Sequence, residues 1–273
     1  MLREIFENVR ERRPVIHSIT NYVTANDCAN ILNACGASPI MADSKEEAAD
    51  ITANSNGLYL NIGTINDSTL EAMIIAGKKA NELGHPIVFD PVGIGASEYR
   101  MKAAEEILRE VKCTVIRGNI SEIRKLASGK GTVTSVDADN SDRLTADNLE
   151  DVINSAKSLS TKSGAVVAIT GTIDIAADSK KAYLIRNGNP MMTTVAGTGC
   201  QTSALVTAFV ASNPDSTLEA TAGAMSAMGI AGEMARDRLR CVDGNVTYGK
   251  YIIDAIYNLT PDILESGTRY EFR

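Results

Sequence analysis

Gly197-Thr198-Gly199-Cys200 is a polar, glycine-rich turn that runs into an apolar helical segment, Ala204 to Ala211. A helix beginning near Gly199 turns its first backbone N–H groups, which lack intrahelical acceptors, toward that turn. The junction becomes an anion site, and phosphate is the commonest occupant. The two glycines let the chain approach the anion without a Cβ in the way, while Thr198 and Thr202 can cap or donate. No lysine follows, so this is not the loop of the P-loop enzymes. A second reading stands beside the first: a glycine turn that only begins a buried helix. Cys200, at the helix N-terminus, is where a thiolate is stabilised and a lowered pKa is expected. The ordinary reading of a free cysteine is a buried structural one, packed as a small hydrophobe.

Two carboxylates, Asp90 and Glu122, are oxygen donors suited to a hydrated Mg²⁺ held jointly with substrate phosphates. Their alternative roles are helix capping or an ion pair. The fixed donor fork of Arg117 can neutralise a nucleotide phosphate, or pair with Asp90 or Glu122 instead. His17, inside a strand, and His85, before Pro86, have no ligand spacing around them and are read as structural. The methionines are packing groups, with Met41 placed after a strand where it can line a pocket.

Positioning these groups requires strands that stop where the chemistry begins. Val15–Ile19, Ser38–Met41, Gly57–Gly63, Pro86–Gly93, Cys113–Ile116 and Ala165–Ile169 read as strands, and helices at residues 2–13, 27–35, 67–83, 99–111, 145–161, 216–239 and 247–258 alternate with them or follow them. Asp43-Ser44 with Glu46-Glu47 reads as a further helix start. Residues 173–176 and 182–185 read as an antiparallel hairpin. Lys130 to Arg143 is polar and acidic, an expected excursion with a short strand at Thr132-Val133-Thr134. The pattern predicts an α/β fold with a mostly parallel sheet between helical layers, as one domain over residues 1–273. Thr20-Asn21, Gly63-Thr64, Asp90 to Gly93, Arg117 to Asn119 with Glu122, and Thr170-Gly171 then share the carboxyl edge of the sheet, where ligands bind.

Charge and composition narrow the partners. With 27 basic against 34 acidic residues, a net charge of -7 and no basic block, nucleic acid and anionic membrane surfaces are disfavoured as the main partner. A hydrophobic fraction of 44% in 273 residues supplies a core. The five cysteines form no CxxC pair and suit a reducing cytoplasm. The N-terminal stretch reads as a charged amphipathic helix rather than a secretory signal, and no run reaches membrane-span length.

The chain closely resembles the hydroxyethylthiazole kinases of thiamine biosynthesis and salvage, a branch of the ribokinase-like kinases. The resemblance is carried by His17-Ser18-Ile19-Thr20-Asn21-Tyr22-Val23, Gly36-Ala37-Ser38-Pro39-Ile40-Met41, Leu60-Asn61-Ile62-Gly63-Thr64, Asp90-Pro91-Val92-Gly93 and Val195 to Cys200, and it runs through nearly the whole chain. It implies a three-layer αβα fold and transfer of the γ-phosphate of ATP to the primary hydroxyl of 4-methyl-5-(2-hydroxyethyl)thiazole. It further implies a homotrimer with active sites between subunits. By the same resemblance, Met41 and Gly197 contact the thiazole, with Asn21, Val23 and Gly63 as further pocket residues. Arg117 and Thr170 contact ATP, with Gly199 in the anion-binding turn, and Asp90 with Glu122 organises Mg²⁺ and phosphate. The wider group places an aspartate where this chain has Cys200, leaving the proton acceptor open between a base and a group that positions the alcohol. Competing readings are a kinase for hydroxymethylpyrimidine, pyridoxal or a sugar, and an ATP-binding regulator without turnover. Pro39-Ile40-Met41 and Cys200 favour the thiazole; Asp90, Glu122 and the complete glycine turn oppose loss of chemistry.

Overall fold

Strand alternation divides the apolar groups of this chain between two faces of one sheet. In the computed structural model, residues 1–128, 144 and 148–273 are described. The strands are β1 (Val15–Ile19), β2 (Ser38–Met41), β3 (Gly57–Asn61), β4 (Ile87–Asp90), β5 (Val115–Asn119), β6 (Val166–Thr170), β7 (Asp174–Ala177), β8 (Ala182–Ile185) and β9 (Tyr270–Phe272). They form one sheet in the order β2-β1-β3-β4-β5-β6-β7-β8-β9. β2 through β6 are parallel neighbours, and the last three strands add antiparallel.

Tyr59, Val88, Val115 and Ala168 pack on one face, and Leu58, Leu60, Phe89, Ile116 and Ile169 on the other, the period-two pattern of strands covered on both sides. The first face is covered by α1 (Leu2–Arg12), α2 (Ala25–Cys35), α8 (Thr198–Ser212), α9 (Thr217–Arg238) and α10 (Asn245–Asn258). The second carries α4 (Asp67–Leu83), α5 (Glu98–Glu110), α6 (Ile120–Ser128) and α7 (Leu149–Ser163). The result is the expected α/β architecture with helical layers on both faces of a mostly parallel sheet.

α8 is buried nearly all round, between the sheet and α1, α2 and α9, its polar Gln201, Thr202, Ser203 and Thr207 included. Two of its hydroxyls are satisfied within the helix: Thr202 and Thr207 donate to carbonyls one turn back, at 2.8 Å each. α9 approaches the chain closely at Gly229, where a Cβ would fall 2.6 Å from that of Asn187. β2 is an edge strand. The Ser38 N–H donates to Pro14 on the β1 side, so the next nitrogen, that of Pro39, faces outward.

Several expectations are corrected. The helix start at Asp43-Ser44 is a turn, in which the Ser44 hydroxyl donates to Glu46 and Ser44 C=O accepts from Ala48 N–H at 3.0 Å. The helix α3 (Ala48–Ala53) begins only after it. The C-terminal segment holds two elements not foreseen, α11 (Pro261–Gly267) and β9. The expected excursion at Lys130–Arg143 with its strand, and the helix start at Thr145, lie outside the described residues. Among the described residues, no helix is long and apolar enough to cross a membrane.

Candidate active site

Because side chains alternate, Asn61, Asp90, Arg117 and Thr170 are each an even number of residues beyond a group on the α8 face: Tyr59, Val88, Val115 and Ala168. Each sits at or near the carboxyl end of its parallel strand, and Asn61 is the register partner of Asp90. They therefore project together toward the N-terminus of α8, which Gly197 caps in the left-handed region at φ 88.

Asp90 is fully buried and uses its two oxygens differently. Oδ2 accepts from Ser203 Oγ at 2.7 Å, Asn61 Nδ2 at 3.2 Å and Tyr59 Oη at 3.4 Å, and pairs with Arg117 Nη1 at 3.6 Å. Oδ1 is buried without a hydrogen-bond partner. Glu122 is held at the start of α6 by a reciprocal cap: Asn119 N–H donates to Oε2 at 2.8 Å, and Glu122 N–H to Asn119 Oδ1 at 2.8 Å. Its Oε1 accepts from Gly93 N–H at 2.9 Å. A small cleft between Gly93, Gly95, Asn119, Ser121, Glu122 and Lys125 opens beside it.

Burial raises the Asp90 carboxyl above its usual range, against Arg117 and the donors on Oδ2. Burial, then the charge of Asp90, raises Glu122. Burial opposes the charge on Arg117, yet Asp90 and Glu122 hold its pKa above the usual value. Two carboxylates thus share one guanidinium. The expected alternative for Arg117, an ion pair, is realised with Asp90, and its Nη2 also donates to the Thr170 hydroxyl. Its Nε is buried and unpartnered. The guanidinium lies against Gly199, where a Cβ would fall 2.7 Å from Nη1 and 2.8 Å from Nη2. An arginine against a helix N-terminus places two positive groups together, an arrangement that an anion relieves.

Cys200 receives two amide donors. Asn61 Oδ1 accepts from Gly63 N–H at 2.9 Å and Asn21 Oδ1 from Thr24 N–H at 3.0 Å, which fixes both amides with nitrogen toward the sulfur. Asn61 Nδ2 reaches Sγ at 3.3 Å and Asn21 Nδ2 at 3.4 Å. The lowered pKa expected at a helix terminus is corrected: burial first, then the charge of Asp90, push the thiol up, against Thr24, Arg117 and Asn21. A thiol less than a tenth exposed and close to a carboxylate gains more from staying neutral than the helix terminus returns.

Asn21, Gly63, Asp90, Arg117, Glu122, Thr170, Gly199 and Cys200 are therefore brought together, and Gly197 packs against Thr24 beside them. Met41 and Val23 are 39% and 66% exposed, open to solvent rather than turned into this buried network. Sequence reasoning assigned no site role to Tyr59, Asn61, Ser203 or Thr24. A polar residue ending the apolar run Gly57–Asn61 was the available signal for Asn61. His17 is structural as expected: Nε2 meets the Ala42 carbonyl and Nδ1 the Thr52 hydroxyl, both at 2.8 Å, and burial lowers its pKa.

The model of the hydroxyethylthiazole kinase family matches residues 6–262. A hydroxyethylthiazole kinase of Clostridium acetobutylicum is 56% identical over 271 residues, covering 99% of each chain. The structure of a hydroxyethylthiazole kinase from Pyrococcus horikoshii superposes with a TM-score of 0.88 at 32% identity, covering 100% of this chain and 98% of that one. A ribokinase-like superfamily protein from Enterococcus faecalis shares the fold, with a TM-score of 0.61 at 11% identity over 95% of both chains. A match through nearly the full length, at identities this high, means that the chain belongs to the hydroxyethylthiazole kinase family.

Proposed function

We propose that this chain transfers the γ-phosphate of ATP to the primary hydroxyl of hydroxyethylthiazole, giving the thiazole phosphate and ADP. One observation carries the reading. A single turn at the start of α8 combines an anion-binding helix terminus, the Arg117 guanidinium on Gly199 and the Cys200 thiol. The alcohol oxygen attacks the γ-phosphorus while the bond to the β-phosphate oxygen breaks, and the hydroxyl proton passes to the transferred phosphate as the new P–O bond forms. The transition state is loose, so alignment and charge stabilisation do most of the catalytic work. Arg117, Thr170 and the N–H groups at Gly197 to Cys200 bind the phosphates. Gly197, Asn21 and Gly63 form the thiazole pocket, with the exposed Met41 and Val23 at its rim.

Asp90 and Glu122 fit a hydrated Mg²⁺. The buried Asp90 Oδ1 lacks a partner, and Asp90 and Glu122 are close enough that the charge of Asp90 raises the Glu122 pKa beyond what burial does. Mg²⁺ usually keeps several waters and is bound by one or two carboxylates together with substrate phosphates; among the described residues, no group of three or more His, Cys, Asp or Glu could hold a metal. When bound, it neutralises charge on the transferred group. The raised thiol pKa makes Cys200 a group that positions the alcohol. Its sulfur, held by the two amide donors, sets where the alcohol oxygen sits.

The test is an ATP-dependent assay with thiazole alcohol, pyrimidine alcohol, pyridoxal and ribose, with products identified by mass. The thiazole phosphate is expected, and preferential phosphorylation of another acceptor would reject the substrate assignment. Cys200→Ala is expected to lower kcat about a hundredfold with the KM for ATP retained. Cys200→Asp puts a carboxylate able to accept the hydroxyl proton at that position and is expected to be faster than wild type; a folded, substrate-binding but inactive variant would point to a steric requirement instead. Unchanged turnover in Cys200→Ala would remove Cys200 from the chemistry.

The same reading makes the active form a cytoplasmic homotrimer with sites between subunits. Tyr22 and Val23, 82% and 66% exposed beside the buried Asn21, form an apolar rim that a neighbour would cover. Sedimentation equilibrium at assay concentration is expected to give three times the chain mass of 29.0 kDa; an active monomer would exclude shared sites.

A further inference from the structure

We infer that Arg100 is a positioning residue for this reaction, holding from outside the buried network the two peptide groups that fix Asn61 and Glu122. Arg100 lies in the first turn of α5, where its N–H donates to the Ser97 cap at 3.2 Å. Its guanidinium donates to three backbone carbonyls. Nη1 reaches Val92 at 2.8 Å and Ile62 at 3.3 Å, and Nη2 reaches Gly63 at 2.7 Å.

Two of these carbonyls belong to peptide groups whose other ends are in the site. In a trans peptide the C=O and N–H point in opposite directions, and the described chain has no cis bond. The peptide that gives its Val92 oxygen to Arg100 gives its Gly93 N–H to Glu122 Oε1 at 2.9 Å. The peptide that gives its Ile62 oxygen gives its Gly63 N–H to Asn61 Oδ1 at 2.9 Å. Asn61 in turn donates to Cys200 and Asp90. One rigid planar fork therefore spans the loops after β3 and β4. It sets the group that orients the alcohol side and the carboxylate on the phosphate side. A lysine, as a single charge on a flexible stem, cannot hold both peptides in one plane.

The inference rests on the site proposed above, and Arg100→Lys tests it. Thermal melting establishes folding, and steady-state kinetics and amide exchange in protein labelled at glycine nitrogens supply the readouts. Expected are a kcat about tenfold to a hundredfold lower and faster exchange at Gly63 and Gly93, with Gly84 and Gly164 unchanged. Wild-type kcat and exchange in folded Arg100→Lys would overturn the role. Should that variant not fold, Arg100→Gln carries the same readouts; failure of both to fold would make Arg100 structural and overturn it equally. An inactive Asp90→Asn beside an unaltered Arg100→Lys removes only Arg100, whereas an active Asp90→Asn removes the site itself.

Discussion

Asp90→Asn is expected to bind the thiazole alcohol and turn over about a thousandfold more slowly than wild type. The surroundings dictate how the new amide must sit. The Oδ2 position faces donors from Ser203, Asn61, Tyr59 and Arg117, so the amide oxygen takes that place. The NH₂ group then occupies the position of the unpartnered Oδ1. Two N–H donors replace an anionic oxygen where the cation and phosphate charge would meet the protein. Stability should change less than activity. Removing a buried carboxylate relieves its desolvation, while Arg117 loses its ion-pair partner, and the two effects oppose each other. A magnesium titration of kcat, with a melting curve on the same sample, makes the test, and a wild-type titration would remove Asp90 from the ion site.

Gly197→Ala is the second large effect, and Gly84→Ala is its control. Both glycines have positive φ, 88° and 71°, so alanine at either costs about 1–2 kcal/mol in backbone strain. Around Gly84 a Cβ meets nothing within 4 Å, whereas at Gly197 it would fall 2.4 Å from Thr24 Cγ2. Thr24 is buried and donates both its N–H and its hydroxyl to Asn21 Oδ1 at 3.0 Å. Asn21 donates to Cys200. The added methyl thus displaces a chain of contacts that ends on the thiol. Overpacking adds about 1–3 kcal/mol, and kcat is expected to fall about a hundredfold. Urea denaturation and steady-state rates on the two variants separate strain from site damage; equal effects in both would show that the Thr24 contact does not matter.

Much of this arrangement was legible because polar groups interrupt apolar runs at strand ends. Asp90, Arg117 and Thr170 each end or follow such a run, and the parallel sheet gathers them at one edge. The partners were less legible. That Ser203 reaches Asp90, or that Asn61 serves Cys200 and Asp90 together, depends on strand register and on how α8 crosses the sheet. Local sequence carries neither. The acidity of Cys200 was read in the wrong direction for the same reason: the helix terminus is visible in the chain, but the burial and the nearby Asp90 charge that outweigh it are not. α11 was readable and overlooked, since Thr260 before Pro261 is a cap signature, and its hydroxyl does accept from Ile263 N–H at 3.2 Å. β9 has only three residues, too few for periodicity to register.

Pro39 has a consequence for what can approach the rim that carries Met41. An exposed sheet edge is a template on which a foreign strand can assemble, and continued addition of that kind leads to aggregation. β2 has four residues, and at Pro39 its outward nitrogen has no hydrogen to offer. A strand laid along this edge would find a gap in the middle of its ladder. The edge beside Met41 is thereby kept from extending the sheet by strand addition.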